Sequence, residues 1–586
     1  MLETLSYYSI KPLERGDLVK INFRNKDTFA IVCDSADLKE EKFDLKNRKY
    51  KLKPIKSVIK EKFFSESWFR IMEELAKNYF IPETAFLPSF IPKALLSSNI
   101  EIKGSAQGAE RHQKYAIKGS HDERNQVLRG IIREHFARKK SVIIVAPRIE
   151  NINKLSEELS RGVEDYVFGF SSKLTPKKYL ELYNKALSEE HAVLIIGTFQ
   201  SLFFDRPDVE TIIVEEEGSR LWREREGFPF DLRKVAEVIA EIKQLKIIWS
   251  DEILRAETIY KAERGLIEAS NLLVGRIPSA IETKLIEVTK PKNTDEKIPF
   301  TWISKELENE ISDSIKNNDK ILLYVNRKGY SSFTLCQDCG RPQLCPNCST
   351  PLALHKKSDR KFLCHHCLKS GEVGNECQYC NSWKMKDYGL GIEKVQEEFS
   401  RLFPNAENVT IATEKIFSEP HQHFDLVAVI SLDYLFSIPD FRINETIFRL
   451  VGELKSRAKK KFILQTRLED HKVLSDALAG NISSFYQEEI KSRDELGYPP
   501  FSKLIKLVRE DRNLSLIKNE EQKILEVLQL YKPASFPAFH EKLKNKYRWN
   551  ILLKLPPHKW PDETLRNILA NIHPAWQIVV DPDSII

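Results

Sequence analysis

"TIIVEEEGSRLW", residues 211–222, reads as a buried strand running into a polar turn. Thr211 to Val214 are β-branched throughout, and β-branched runs suit the pleated, packed surface of a sheet. The run delivers Glu215, Glu216 and Glu217 to one strand end. Acids so placed can hold a divalent cation and orient a water molecule. "SVIIVAP" and "AVLIIGT" are similar short apolar runs nearby, with long helical patterns between them. Strands alternating with amphipathic helices predict a parallel sheet covered on both faces.

The chain has 586 residues, too many for one core, so several domains are expected. It is 41% hydrophobic and 30% charged, the balance of a soluble globular chain. A net charge of +7 permits nucleic-acid binding without establishing it. The opening "MLETLSYYSI" carries Glu3 and does not read as a signal peptide. The apolar run 424–439 is too short to span a bilayer and contains Asp425 and Asp433, so no membrane partner is expected. Cytoplasm is the expected setting. Only 21 residues are glycine, about half the usual share. Phosphate-binding loops need glycine, so some are expected to be missing.

Eight of the nine cysteines form four Cys-x-x-Cys pairs: Cys336/Cys339, Cys345/Cys348, Cys364/Cys367 and Cys377/Cys380. A two-residue gap turns both thiolates of a knuckle toward one ion, and tetrahedral zinc takes two knuckles. Four pairs imply two zinc ions. Disulfides do not suit a reducing compartment, and redox chemistry explains one pair rather than four. His355, His365 and His366 are then surface histidines. Cys33 reads as a small buried strand residue.

The insert and its flanks resemble the primosomal protein N′ (PriA) replication-restart helicase family. The resemblance rests on "LLYVNRKGYSSFTLCQDCG" (322–340), "CPNCSTPLALH" (345–355) and "LGIEKVQEEFSRLFP" (390–404). Asn326, Arg327, Gly329 and Tyr330 match the family's turn, and Gly389, Gly391, Glu393 and Val395 its helix start; Ile392 replaces a threonine. Similarity continues through "IIGTFQSLFF" (195–204), "IPDFRINETIFRL" (438–450) and "FYQEEIKSRDELGYPPF" (485–501), and into both ends. The resemblance implies a nested zinc pairing. Cys336, Cys339, Cys377 and Cys380 would share one ion, and Cys345, Cys348, Cys364 and Cys367 the other.

The resemblance also implies a motor, and here the residues depart from the family. A working phosphate loop cradles phosphates with backbone N–H groups, with Lys on the β/γ oxygens and Ser or Thr on magnesium. "KYAI" (114–117) reads as the strand before it and "QVLRGIIREHFARKK" (126–140) as the helix after it. Between them "KGSHDERN" (118–125) has one glycine, Gly119, and Glu123 and Arg124 stand where the family has Lys and Thr. Asp122 and Glu123 would face a triphosphate, a repulsion of about 4 kcal/mol per pair at 4 Å and an effective dielectric near 20.

Four further motor segments deviate. Glu215 and Glu216 retain acids, but the family's coupling His is Gly218. Asp251 and Glu252 replace Ala and Thr after Ser250, and "IATEKIFSEP" (411–420) lacks a Lys-Gly. In the arginine-finger helix, read as "ELKSRAKK" (453–460), Arg457 stays and Lys460 replaces the last Arg. Lys keeps the charge without the bidentate fork. These residues predict remnants of a motor, no catalytic residues, and no use of ATP or magnesium.

Candidate DNA contacts come from two places. The segment 46–62 holds eight Lys or Arg in 17 residues, and Lys53 falls where the family lines its pocket for a DNA 3′ end. The family's Phe-Asp-Tyr reads Leu5-Ser6-Tyr7, which leaves backbone binding but removes an acid from that pocket. Trp222, Arg223, Arg225, Phe228 and Phe230 fall in the family's aromatic-rich loop. Aromatics among cations suit base stacking with phosphate contact; the competing reading makes them the cap of a core edge.

The expected architecture is α/β. A 3′ DNA-binding β domain (1–56) and a winged helix (57–100) precede RecA-like helicase lobes at 114–290 and 298–480. A zinc module (335–385) interrupts the second lobe, and an α+β domain (481–586) follows. The expected function is PriA-like binding of forked or branched DNA in replication restart, with single-stranded-DNA-binding protein and other primosome components as partners. An active but divergent 3′-to-5′ helicase using Glu215, Glu216 and Arg457 is the alternative. A zinc-stabilised assembly protein without DNA binding is a third.

Overall fold

In the computed structural model, Val209–Glu215 is a strand buried at every residue. It is the middle strand of seven, in the order 268–270, 114–118, 246–251, 209–215, 141–145, 194–197 and 167–170. All neighbours pair in parallel, as the alternation of apolar runs and helices predicts. Ile117, Leu128, Ile132, Val142, Ile144, Leu194, Ile196 and Ile213 fill one face.

The structure describes residues 5–37, 52–96, 112–223, 229–270, 281–288, 301–326, 392–418, 422–438, 440–468, 470–543, 545–582 and 584–585. Of the cysteine-rich stretch it describes 333–336, 338, 343–345, 353–355, 361–363, 370–371 and 376–388. Two compact units emerge: residues 1–272 with 559–570 and 579–581, and residues 273–558 with 571–578 and 582–586. Among the described residues no helix is long and apolar enough to cross a membrane.

The first unit begins with a small antiparallel sheet in the order 26–31, 18–23, 57–60. Ser57–Lys60 therefore belongs to this sheet, beyond the boundary at 56 expected from sequence. Cys33 lies past the Lys26–Ile31 strand and is only partly buried, not the core strand residue expected. From 66 to 96 the described elements are all helical, with Glu66–Tyr79 the longest and no wing strand among the described residues. Its aromatics dock on the large sheet's connections: Trp68 meets Phe203 at 4.9 Å between ring centroids, and Phe90 meets Phe199 at 5.5 Å. Aromatic burial of this kind dominates packing energy.

The second unit holds a five-stranded parallel sheet in the order 282–287, 458–466, 424–429, 321–324, 409–412. Glu282–Glu287 pairs with 461–466, so this strand leaves the first lobe, to which the sequence reading had given residues up to 290. Only Ile286 on it is fully buried. An edge strand with one core residue gives little hydrophobic signal, and the charged run after it resembles a linker. The cysteine-rich insert closes on its own stem, because Phe333–Cys336 pairs antiparallel with Met385–Tyr388. The last domain is a four-stranded sheet, in the order 534–543, 546–555, 503–511, 576–580. Phe441 stacks on Tyr498 at 5.1 Å and joins its core.

Candidate functional site

The strand 114–118 ends one residue later than its apolar pattern suggests, and the following helix begins at His121. Only Gly119 and Ser120 separate them, so the segment expected as an open loop is mostly the helix's first turn. Glu123 explains the early start. Its carboxylate accepts from the Ser120 backbone N–H at 2.8 Å and the Ser120 hydroxyl at 2.9 Å. A side-chain carboxylate thus satisfies an N–H at a helix start, where an anion would otherwise bind. These bonds hold the Glu123 carboxyl below its ordinary pKa, the backbone N–H contributing most. A Cβ on Gly119 would sit 3.0 Å from this carboxylate, a tight contact that Glu123 would have to ease by a few tenths of an ångström.

Arg124, next in the chain, turns inward. Its Nη1 donates to the Gly119 carbonyl at 2.8 Å, and Nη2 reaches Glu215 Oε2 at 3.3 Å. Both side chains are buried. Ser250, on the neighbouring strand, donates to the other Glu215 oxygen at 2.5 Å. The guanidinium occupies the side of Glu215 that faces the strand–helix turn and neutralises its charge internally.

The other two acids are likewise engaged. Glu216 has φ +50°, which aims its carboxylate at Asn151, whose amide donates to it, and at Arg148, 3.7 Å away. Glu217 is buried and accepts from the Arg255 N–H and the Thr258 hydroxyl, each at 2.8 Å. Burial pushes its pKa up, against the pull of Arg255 and Arg233. Gly218 N–H donates to Asp251 at 2.8 Å, so Asp251 ties the acid turn to the 246–251 strand end. No single-residue signal announced these partners; they become neighbours only through parallel strand order.

Arg457 is buried at 2% exposure within the second unit, with its guanidinium 5.4 Å from the Phe417 ring. The helix expected over 453–460 ends at Lys455, and Ala458 opens a strand. Lys460 therefore sits on that strand and pairs with Asp319 at 2.6 Å and Asp425 at 3.3 Å.

Of the aromatic-loop candidates, Trp222 and Phe230 are core residues, each 1% exposed. The Trp222 indole donates to the carbonyls of Glu215 and Glu216 at 3.2 and 2.9 Å. Phe230 packs on Phe86 at 4.8 Å. Their rings face inward, so the core-edge reading holds for both and base stacking does not. Arg223 is also buried, 3.6 Å from Asp231 and bonded to the Asp581 carbonyl. Three arginines hold the buried Asp231 far below the carboxylate range against its desolvation. Arg225 and Phe228 lie outside the described residues. Lys53 is exposed on a two-residue strand that pairs in parallel with Tyr7–Tyr8.

Cys336, Cys377 and Cys380 bring their sulfurs within 4.8 Å of one another, the 336–380 pair at 3.5 Å. With Zn–S bonds of about 2.3 Å, the edge of a ZnS4 tetrahedron is roughly 3.8 Å, so the three thiols fit one zinc. Cys345 is buried outside this group. Cys339, Cys348, Cys364 and Cys367 lie outside the described residues.

Residues 2–92 match the profile of a 3′ DNA-binding domain of PriA, and 494–583 that of the primosomal protein N C-terminal domain. The replication restart protein PriA of Rickettsia conorii is 25% identical over 92% of this chain and 90% of its own length. The chain belongs to the primosomal protein N′ (PriA) family. The Bacillus subtilis PriA is 22% identical over 88% of the chain and 68% of its own length. Among solved structures, RecG bound to a three-way DNA junction gives a TM-score of 0.34 at 11% identity, over 73% of this chain and 51% of that one. Membership of the PriA family brings a replication-restart role and DNA binding.

Proposed function

We propose that this PriA-family protein binds forked DNA during replication restart without hydrolysing ATP. The observation that carries this is the Arg124–Glu215 ion pair, 3.3 Å long and buried, beside a strand–helix turn whose amide is capped by Glu123. A nucleotide-driven site needs a free acid for magnesium and open N–H groups for phosphates. Here a side-chain cation holds the acid, and a side-chain anion holds the turn. The engagement of Glu216 and Glu217, and the burial of Arg457, support the same reading. On this reading the chain carries two zinc ions, and neither ATP nor magnesium. Its partners are forked DNA, single-stranded-DNA-binding protein and other primosome components at the bacterial nucleoid.

The test is ATP hydrolysis by the zinc-loaded full chain, with and without forked DNA, beside Glu216→Gln. The expected result is no turnover above the Glu216→Gln background, with fork binding intact and falling steeply with salt. DNA-stimulated turnover abolished by Glu216→Gln would instead establish a divergent helicase.

A further inference from the structure

The Cys377–Cys380 knuckle carries an aromatic residue that the fold leaves in solvent. Trp383 is 70% exposed, and Tyr379 on the same turn is 42% exposed. Tryptophan is usually well buried, and Trp222 and Phe230, the described aromatics singled out from the sequence as DNA contacts, are in the core; the sequence reading did not single out Trp383.

The turn that presents Trp383 is fixed on both sides. Cys377 N–H donates to the Ser382 carbonyl at 2.7 Å, and Asn381 N–H to the Cys377 carbonyl at 2.8 Å. Asn381 takes the left-handed φ of +54° that this reversal needs. The Ser382 hydroxyl donates to Asp338 at 2.7 Å and accepts from the Lys384 N–H at 3.1 Å. The Lys384 ammonium lies 3.5 Å from Asp338 and stays 42% exposed. A large ring on a fixed turn loses little conformational freedom when something stacks on it.

The geometry points to Trp383 as a stacking site for unpaired bases of single-stranded DNA. Every base has a π face, so stacking on indole needs no particular sequence. Lys384 follows the ring directly, and its part-exposed ammonium can meet a phosphate of the strand whose base stacks on the indole. The site rests on the DNA-binding reading above and assigns one strand of the fork to the zinc module.

The experiment compares the zinc-loaded full chain with Trp383→Ala and Trp383→Phe. Fluorescence anisotropy follows a labelled oligodeoxythymidine and, in the same preparations, a forked duplex; zinc content is measured alongside. Trp383→Ala should weaken oligodeoxythymidine binding by about tenfold, and Trp383→Phe should recover most of it. A 5-iodouracil oligonucleotide should photo-crosslink to the wild-type peptide containing Trp383. Unchanged oligodeoxythymidine affinity in a zinc-replete Trp383→Ala protein, or a crosslink elsewhere, overturns the site and leaves Trp383 as a protein-docking residue. If Trp383→Ala loses zinc, the wild-type crosslink decides. Loss of wild-type fork binding would mark failure of the DNA reading itself rather than of this site.

Discussion

The Arg124 guanidinium and the Glu215 carboxylate meet at 3.3 Å, 91 residues apart in sequence and both nearly sealed from solvent. The pair joins the first turn of a helix to the end of the central strand. Removing one member leaves the other buried and uncompensated, which typically costs about 3–5 kcal/mol. Arg124→Ala and Glu215→Ala should each lower stability by that order in urea unfolding. The double variant should lose much less than their sum. Additive losses would show that the two side chains do not act as a pair.

Glu123 caps the helix start through its two bonds to Ser120. Replacing a cap-type partner costs about 0.5–2 kcal/mol. Glu123→Lys, which restores the family's residue type, is therefore expected to lower stability by roughly that amount without producing ATP turnover. The carboxyl's lowered pKa places its contribution above the unfolded value, and that contribution is lost as pH falls through the folded value. A stable, ATP-hydrolysing Glu123→Lys protein would contradict this.

The thiol cluster makes a counting prediction. Cys336→Ser, Cys377→Ser and their double variant should each lose the same single zinc ion in metal analysis. Cys345→Ser should lose a different one, so Cys345→Ser with Cys377→Ser should lose both. Loss of both ions from Cys377→Ser alone would sink the nested assignment.

His471 is buried with its ring 4.0 Å from Phe436, and desolvation pushes its pKa down to about 4. Above the unfolded value near 6.5 the imidazole is neutral in both states and pH has no effect through it. As pH falls from 6.5 toward 4, the unfolded chain takes up a proton that the folded chain refuses, so stability drops. The full effect is on the order of 3 kcal/mol. Urea melts at neutral pH and near pH 4.5 should show this loss in the wild type and a smaller one in His471→Gln. Equal losses in both proteins would assign the acid sensitivity to other groups.

The parallel α/β core and the meeting of Cys336 with the Cys377/Cys380 knuckle were legible in the sequence. β-branched runs and fixed Cys spacing are local signals, and local chemistry fixes their meaning. The small strand Glu282–Glu287 was not legible, because its pairing is made by backbone groups and only one of its side chains is fully buried. The early helix start at His121 was missed for a related reason: polar residues were taken for a loop when Ser120 and Glu123 were the cap.

Sequence by itself determined which residue types stand at the 118–125 turn and the 215–218 strand end, and that zinc-type knuckles are present. Only the tertiary structure decided what those residues do. It placed Arg124 against Glu215 and Asn151 against Glu216, and it turned Trp222 and Phe230 inward while leaving Trp383 outside. Charge and aromaticity are properties of a side chain. Whether either is spent internally or offered to a ligand depends on which strand ends and turns the fold brings together.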